Sequence, residues 1–212
     1  CLVGSEMCIR DRIGTSKEMV EERINALTST CLDKPVIFIT HSAATIRLIR
    51  SKETFQSRIF TLEINKVISR KELLEKISLA GYTRVNKVQH CFEYALRGEI
   101  LDIWSANYLD PIRIEFFDET VEEIRVFHPE TEISYKQIES ITIVPASEFS
   151  LSKEEKEVGS EKLLKALSER KLPKLLFDEL SERVRPNLDR ILNEGMDETN
   201  SRYLLYFDDN CL

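Results

Sequence analysis

Apolar and polar positions change their period twice along these 212 residues. In SKEMVEERINALTS, Met19, Val20, Ile24 and Leu27 recur at helical spacing behind Glu18, Glu21 and Glu22, predicting an amphipathic helix capped by Ser16. Pro35 then introduces VIFIT, a continuous apolar run expected of a strand buried on both faces. Ser42 is placed to cap a further helix over AATIRLI, and SRIFTLEI, Ser57 to Ile64, alternates as a strand. Ser69 opens SRKELLEKISLAGY, where Ser69 and Glu72 predict a capping box and Gly81 stands where a C′ glycine belongs.

From Tyr82 to Val144 the period becomes two. FEYALRG, EILDIW, IRIEFF, VEEIRVF and SITIV read as five strands broken by turn-forming clusters. After Pro145 the helical period returns, with a solvated charge-dense linker expected near 152–159 and then two or three helices interrupted by Pro173 and Pro186. The predicted fold class is α/β: a partial α/β subdomain over 13–67, an inserted small antiparallel β domain over 68–150, and a helical return segment over 151–212.

Residues 1–12, CLVGSEMCIRDR, back-translate as a transposase-type sequencing adapter read in frame, so they are set apart from fold reasoning and the chain is expected to be a fragment. Cys211-Leu212 fits the reverse adapter. Removing Glu6, Arg10, Asp11 and Arg12 takes away two acids and two bases and leaves the net charge at −7. Cys31 and Cys91 then remain, too few for a disulfide framework, and a reduced cytoplasmic setting fits best. No apolar run approaches the ~18–20 residues of a membrane span, so no membrane partner is expected. An acidic chain without a basic stripe has no footprint for duplex binding of its own.

Catalytic and metal-binding patterns are thin. None of the six glycines falls in a GxxxxGK or GxGxxG loop, so no phosphate-loop cofactor is expected here. His41-Ser42 reads as a strand end followed by a helix cap, and His90-Cys91 has no second pair at ligand spacing. Asp118-Glu119 with Glu122-Glu123 reads as an acidic hairpin turn, and His128 beside Pro129 as an exposed turn residue. No catalytic and no metal residue is assigned.

One face remains. In IRIEFF, Ile112, Ile114 and Phe116 point one way, and Arg113, Glu115 and Phe117 the other. In FEYALRG, Glu93, Ala95 and Arg97 share a side. Arginines and an aromatic ring presented together are the residue types enriched at binding hot spots, which points to a protein-docking patch of Arg97, Arg113 and Phe117. A bulge at Phe116-Phe117 that turns both rings inward is the alternative.

The stretch LLEKISLAGYTRVNKVQHCFEYALRGEILDIWSANYLDPIRIEFFDETVEEIRVFHPETEISYKQIESITIVPASEF carries four motifs: GY-x-RV, E-Y/F-x-x-RG-x-x-x-D-I/L, R-I/L-E/D-x-F-D-D/E and PA-x-E-F. Together they resemble the N-terminal, UvrB-like module of bacterial transcription-repair coupling factors, UvrB being one component of the excinuclease. Trp104-Ser105 and Cys91-Phe92 depart from the family's Phe-Pro and His/Pro-Gly. The resemblance implies a partial RecA-like subdomain with an inserted domain that docks UvrA, the excinuclease's recruiting component. Docking in that family uses two arginines and a phenylalanine, matched by motif to Arg97, Arg113 and Phe117. The resemblance also implies a parent that is an ATP-driven, Mg2+-dependent DNA translocase, reaching RNA polymerase and DNA through other domains. In that family the docking face is masked by the parent's own C-terminal domain, and the module itself holds no cofactor. Rival readings are the excinuclease component UvrB, which carries GxxxxGK, and a small hydrolase using His41 and Ser42. Alanine at Arg97, Arg113 or Phe117 is expected to abolish capture of UvrA and to leave the melting temperature nearly unchanged.

Overall fold

Helix α1, Lys17–Cys31, occupies the first amphipathic stretch in the computed structural model, which describes residues 17–31, 37 and 48–209. Its Ile24 packs in a small cluster with Val144 and with Phe55 of the short helix α2, Lys52–Gln56. Strand β1, Phe60–Glu63, is shorter than the predicted Ser57–Ile64. The reason is local: the Ser57, Arg58 and Ile59 N–H groups donate to the carbonyls of Glu53, Phe55 and Gln56, so the chain is still leaving α2. The Ser16 cap, residues 1–12, Pro35, the His41-Ser42 pair, positions 43–47 of the next predicted helix and Cys211-Leu212 lie outside the described residues. Of VIFIT only Ile37 is described, exposed and outside any strand, and Leu48 and Ile49 are not helical.

Helix α3, Arg70–Leu79, ends at the predicted glycine, but of the capping box predicted at its start only the Ser69 half forms. Ser69 Oγ accepts from the Glu72 N–H at 3.2 Å, while the Glu72 carboxylate pairs with Lys76 at 3.2 Å. Gly81, at φ +88°, closes the helix: its N–H reaches the Ser78 carbonyl and the Tyr82 N–H reaches the Ile77 carbonyl, the two bonds of a Schellman end. Leu73 and Ile77 face inward.

Six strands follow in one sheet: β2 Thr83–Arg84, β3 Glu93–Arg97, β4 Ile100–Ile103, β5 Ile112–Phe117, β6 Thr120–Phe127 and β7 Ser134–Gln137, in that spatial order. Strand β8, Ser140–Ile143, pairs with β1 in a separate two-stranded antiparallel sheet. Two expectations change here. The inserted sheet is mixed, because β2 runs parallel to β3. SITIV also leaves it, since Ile141 and Ile143 join Leu62 of β1 in the shared core. Strand β7 has no counterpart among the predicted strands: SYKQ carries no apolar alternation, and its backbone pairing with β6 alone makes it a strand. The inner face of the large sheet (Tyr94, Leu101, Ile103, Ile112, Ile114, Ile124 and Val126) is buried in one cluster with Leu73, Ile77 and Tyr82.

Two compact units emerge. One contains α1 and Lys52–Ser147; the other takes the chain from Glu148 onward together with the segment around Arg50. In the second unit, helix α4, Lys153–Ser168, replaces the predicted linker over 152–159. Ser152 and Glu155 form a complete capping box, with Glu154 and Glu155 in the first turn, so the charge run is a helix start. Gly159 sits inside α4 because the Phe207 ring fills the space where a Cβ would stand. Pro173 caps helix α5, Lys174–Asn193, and Pro186 lies within it without ending it. A 3-10 turn, Ser201–Tyr203, leads into helix α6, Leu204–Phe207. Leu163, Leu167, Val184, Leu188, Ile191, Leu204 and Phe207 form this unit's core. No helix among the described residues is long and apolar enough to cross a membrane.

Candidate protein-docking site

The outer face of the six-stranded sheet is built by register. Residues directly opposite one another in antiparallel strands share a face. Ala95 stands opposite Asp102, Asp102 opposite Arg113, and Arg113 opposite Arg125. The next row on the same face is Arg97, Ile100, Glu115 and Glu123. A third row holds Phe117, its partner Thr120, and Val67, which bridges to Thr120. Strand geometry therefore puts Phe117 about 14 Å from Arg113 along β5, and Arg97 about 10 Å to the side across two strand spacings.

Whether Phe117 faces outward turns on one bulge. The register does slip between Glu115 and Phe116, but the residue without an opposite number is Glu122, on β6. Alternation along β5 is unbroken. Phe116 packs against the core and Phe117 is 74% exposed. The inward-turning alternative therefore does not occur, and all three predicted residues share one sheet surface.

Both hairpins that end this face use the same backbone device. Gly98, at φ +61°, opens the two-residue loop between Arg97 and Ile100, and Asp118, at φ +57°, opens the one between Phe117 and Thr120. The Arg-Gly pair is thus a strand end followed by a left-handed turn residue. A Cβ at Gly98 meets nothing within 4 Å. Gly98→Ala is accordingly expected to cost about 1 kcal/mol through backbone strain alone, and Gly98→Asn less. Urea denaturation measures this, and an alanine variant as stable as the parent overturns the assignment.

The two arginines are joined by a residue to which the sequence patterns gave no role. Asp102, its side chain 2% exposed, accepts from Arg97 Nη2 at 2.6 Å. It also receives a fork from Arg113, Nε to Oδ1 at 2.7 Å and Nη2 to Oδ2 at 2.9 Å. Hydrogen bonding to Asp102 holds the Arg113 guanidinium above its ordinary range despite partial burial. The Arg113 guanidinium also lies 4.9 Å over the Phe127 ring. With its side chain 17% exposed, Arg113 is as much a structural residue as a surface one, so its removal is expected to cost stability. Arg97, 46% exposed, is the accessible cation. Arg125, in the neighbouring column, is neutralised by Glu115 at 3.0 Å and Glu123 at 2.5 Å.

Asp102 had a signal in the sequence. It is a charge on the outward side of ILDI, four residues beyond Gly98 within the RG-x-x-x-D motif. Glu132, which approaches the arginines from a turn, and Lys87, which pairs with Glu132, had none.

Residues 60–149, from the start of β1 to just past β8, match the family described as the UvrB interaction domain. Over 201 residues, 93% of its length, the chain is 31% identical to a transcription-repair-coupling factor of Staphylococcus aureus (strain bovine RF122 / ET3-1). Over 210 residues, 97% of its length, it is 29% identical to the transcription-repair-coupling factor of Bacillus subtilis (strain 168). The chain spans only 16% and 17% of those two relatives. Arg97, Arg113, Phe117 and Asp102 all lie inside the matched residues, on the outer sheet face. The matched segment also contains Cys91, whose thiol is pushed up to about 12 by burial and the nearby Glu21 charge, so that it stays protonated and inert at neutral pH.

Proposed function

We propose that this UvrB interaction domain recruits the excinuclease component UvrA during transcription-coupled nucleotide excision repair, with Arg97, Arg113 and Phe117 as its docking residues. The observation that carries the proposal is the outer face itself: two guanidiniums held side by side by a buried carboxylate, with an exposed phenylalanine on the same surface. An apolar ring left in water among charges calls for a partner that covers it. The family's own description names an interaction domain, and the relatives are transcription-repair-coupling factors over nearly the whole chain. On this proposal the segment from 13 to 67 is part of a RecA-like, UvrB-like subdomain, 68–150 is the insertion and 151–212 the return segment. The parent is a cytoplasmic DNA translocase whose ATP, Mg2+, RNA polymerase and DNA contacts lie in other domains. Docking by this chain uses no cofactor and no catalysis.

Arg97→Ala and Phe117→Ala are the cleaner tests, since Phe117 is exposed and Arg97 is the more exposed of the two arginines. Each is expected to weaken binding of purified UvrA by ~2 kcal/mol or more, roughly thirtyfold in Kd, with the melting temperature unchanged. Biolayer interferometry beside thermal melting reads both. Wild-type affinity in both variants would falsify the docking assignment.

A further inference from the structure

Glu132 reaches the docking arginines from the turn between β6 and β7. Its Oε2 lies 3.8 Å from Arg97 Nη2 and 3.9 Å from Arg113 Nη2, while Oε1 lies 3.1 Å from Lys87 Nζ. The two arginine distances exceed hydrogen-bond reach, so the attraction there is electrostatic only. Asp102 is the opposite case, buried and bonded to both arginines at 2.6 to 2.9 Å. One carboxylate is buried and fixes the guanidiniums, and the other, 31% exposed, stays beyond hydrogen-bond reach of them.

Three features mark Glu132 as displaceable. It is a non-glycine residue at φ +58°, a conformation that L side chains adopt at a cost. Its turn is held by backbone bonds, the Glu132 N–H to the His128 carbonyl at 2.8 Å and the His128 N–H to the Ile133 carbonyl at 3.1 Å, so the side chain can swing without unravelling it. Arg97 uses Nη2 on Asp102 and keeps further N–H groups for an incoming acceptor.

Resting on the docking role argued above, we propose that Glu132 is an internal counter-ion of the free module, displaced on docking by an acidic side chain of the partner. Displacement also takes from Lys87 its carboxylate partner, leaving the ammonium on the Glu130 carbonyl at 3.5 Å as a third cationic contact. With Glu132 swung away, Lys87, Arg97 and Arg113 face the partner over the single buried charge of Asp102. The face thereby turns cationic on an otherwise acidic chain, and charge complementarity selects a carboxylate-bearing surface. In the free state Glu132 keeps the arginine pair from attracting other anions, at the expense of some affinity for the intended partner.

The test measures Kd for purified UvrA with the whole chain as wild type, Arg97→Ala, Glu132→Gln and Glu132→Gly, and with Arg97→Ala combined with Glu132→Gln. Glycine tolerates the left-handed turn, so Glu132→Gly keeps the fold even if glutamine perturbs it. Both Glu132 variants are expected to bind about two- to fivefold tighter, as expected for removing a weak exposed ion pair. The gain should shrink in the Arg97→Ala background. No binding by wild type, or an unchanged Kd for Arg97→Ala, overturns the docking role itself. If Arg97→Ala weakens binding while the Glu132 variants bind as wild type or more weakly, docking stands and the displaced counter-ion is refuted.

Discussion

Asp102→Ala is expected to destabilise the β-sheet unit by about 3–5 kcal/mol and to abolish docking. Asp102 is nearly fully buried and is the carboxylate hydrogen-bonded to both Arg97 and Arg113. Removing it leaves the mostly buried Arg113 guanidinium over Phe127 without its hydrogen-bonded carboxylate, while Glu132 stands at 3.9 Å. The cost comes from stranding a charge and exceeds the net worth of the pair. Docking falls for a second reason: without its clamp the arginine pair samples many rotamers, and ordering them again on binding subtracts from affinity. Asp102→Asn keeps the volume and one acceptor while losing the charge, and should fall between the two. Urea denaturation with UvrA binding provides both readouts. If the alanine variant unfolds at the wild-type urea concentration, the clamp has no structural role.

Arg50→Ala is expected to have a comparable effect in the other unit. Arg50 lies nearly fully buried and donates from Nε to Asp208 at 3.0 Å, from Nη2 to Glu155 at 2.5 Å, and from Nη1 to the Ser150 carbonyl. Glu155 is also the capping-box residue of α4, and Asp208 ends α6. One guanidinium thus ties a segment distant in sequence to the start of one helix and the end of another. Its loss takes the bonded cation away from the buried Asp208 carboxylate, again about 3–5 kcal/mol. Hydrogen exchange should show α4 and α6 losing protection while the six-stranded sheet keeps its own. Uniform loss across both units, or none, would contradict a role confined to the helical unit.

The strands of the sheet were legible because each buries one face, which forces an apolar-polar alternation with no other cheap explanation. The helix start at Ser69 and its end at Gly81 were legible for the same local reason, since side-chain caps and left-handed glycines act on their own neighbours. The failures share a cause as well. SITIV has the pattern of a strand, but nothing in five residues states whether β1 or the large sheet will be its partner. SYKQ is a strand by pairing alone. The charged run from Ser152 looked solvated because of its charge density, whereas its acids cap and start a helix whose buried side packs on the Phe207 ring.

Phe92 shows the two levels in conflict. Phe92 stands where the resemblance implies a glycine, and the backbone there is left-handed, at φ +68°. The ring offsets that strain by packing between two apolar clusters, edge-on to Tyr82 at 6.2 Å. A departure that looks like drift in one dimension is a packing substitution in three.

By itself the sequence determined which side chains stand on which side of each strand, and so that Arg113, Glu115 and Phe117 share a face. That follows from a two-residue repeat, a property of the extended backbone. Only the tertiary structure decided that the bulge on β6 spares Phe117, that Asp102 clamps the two arginines, and that Glu132 approaches them from a distant turn while paired with Lys87. Those relations depend on cross-strand register and on turn geometry, which bring together residues whose separation along the chain carries no periodic signal.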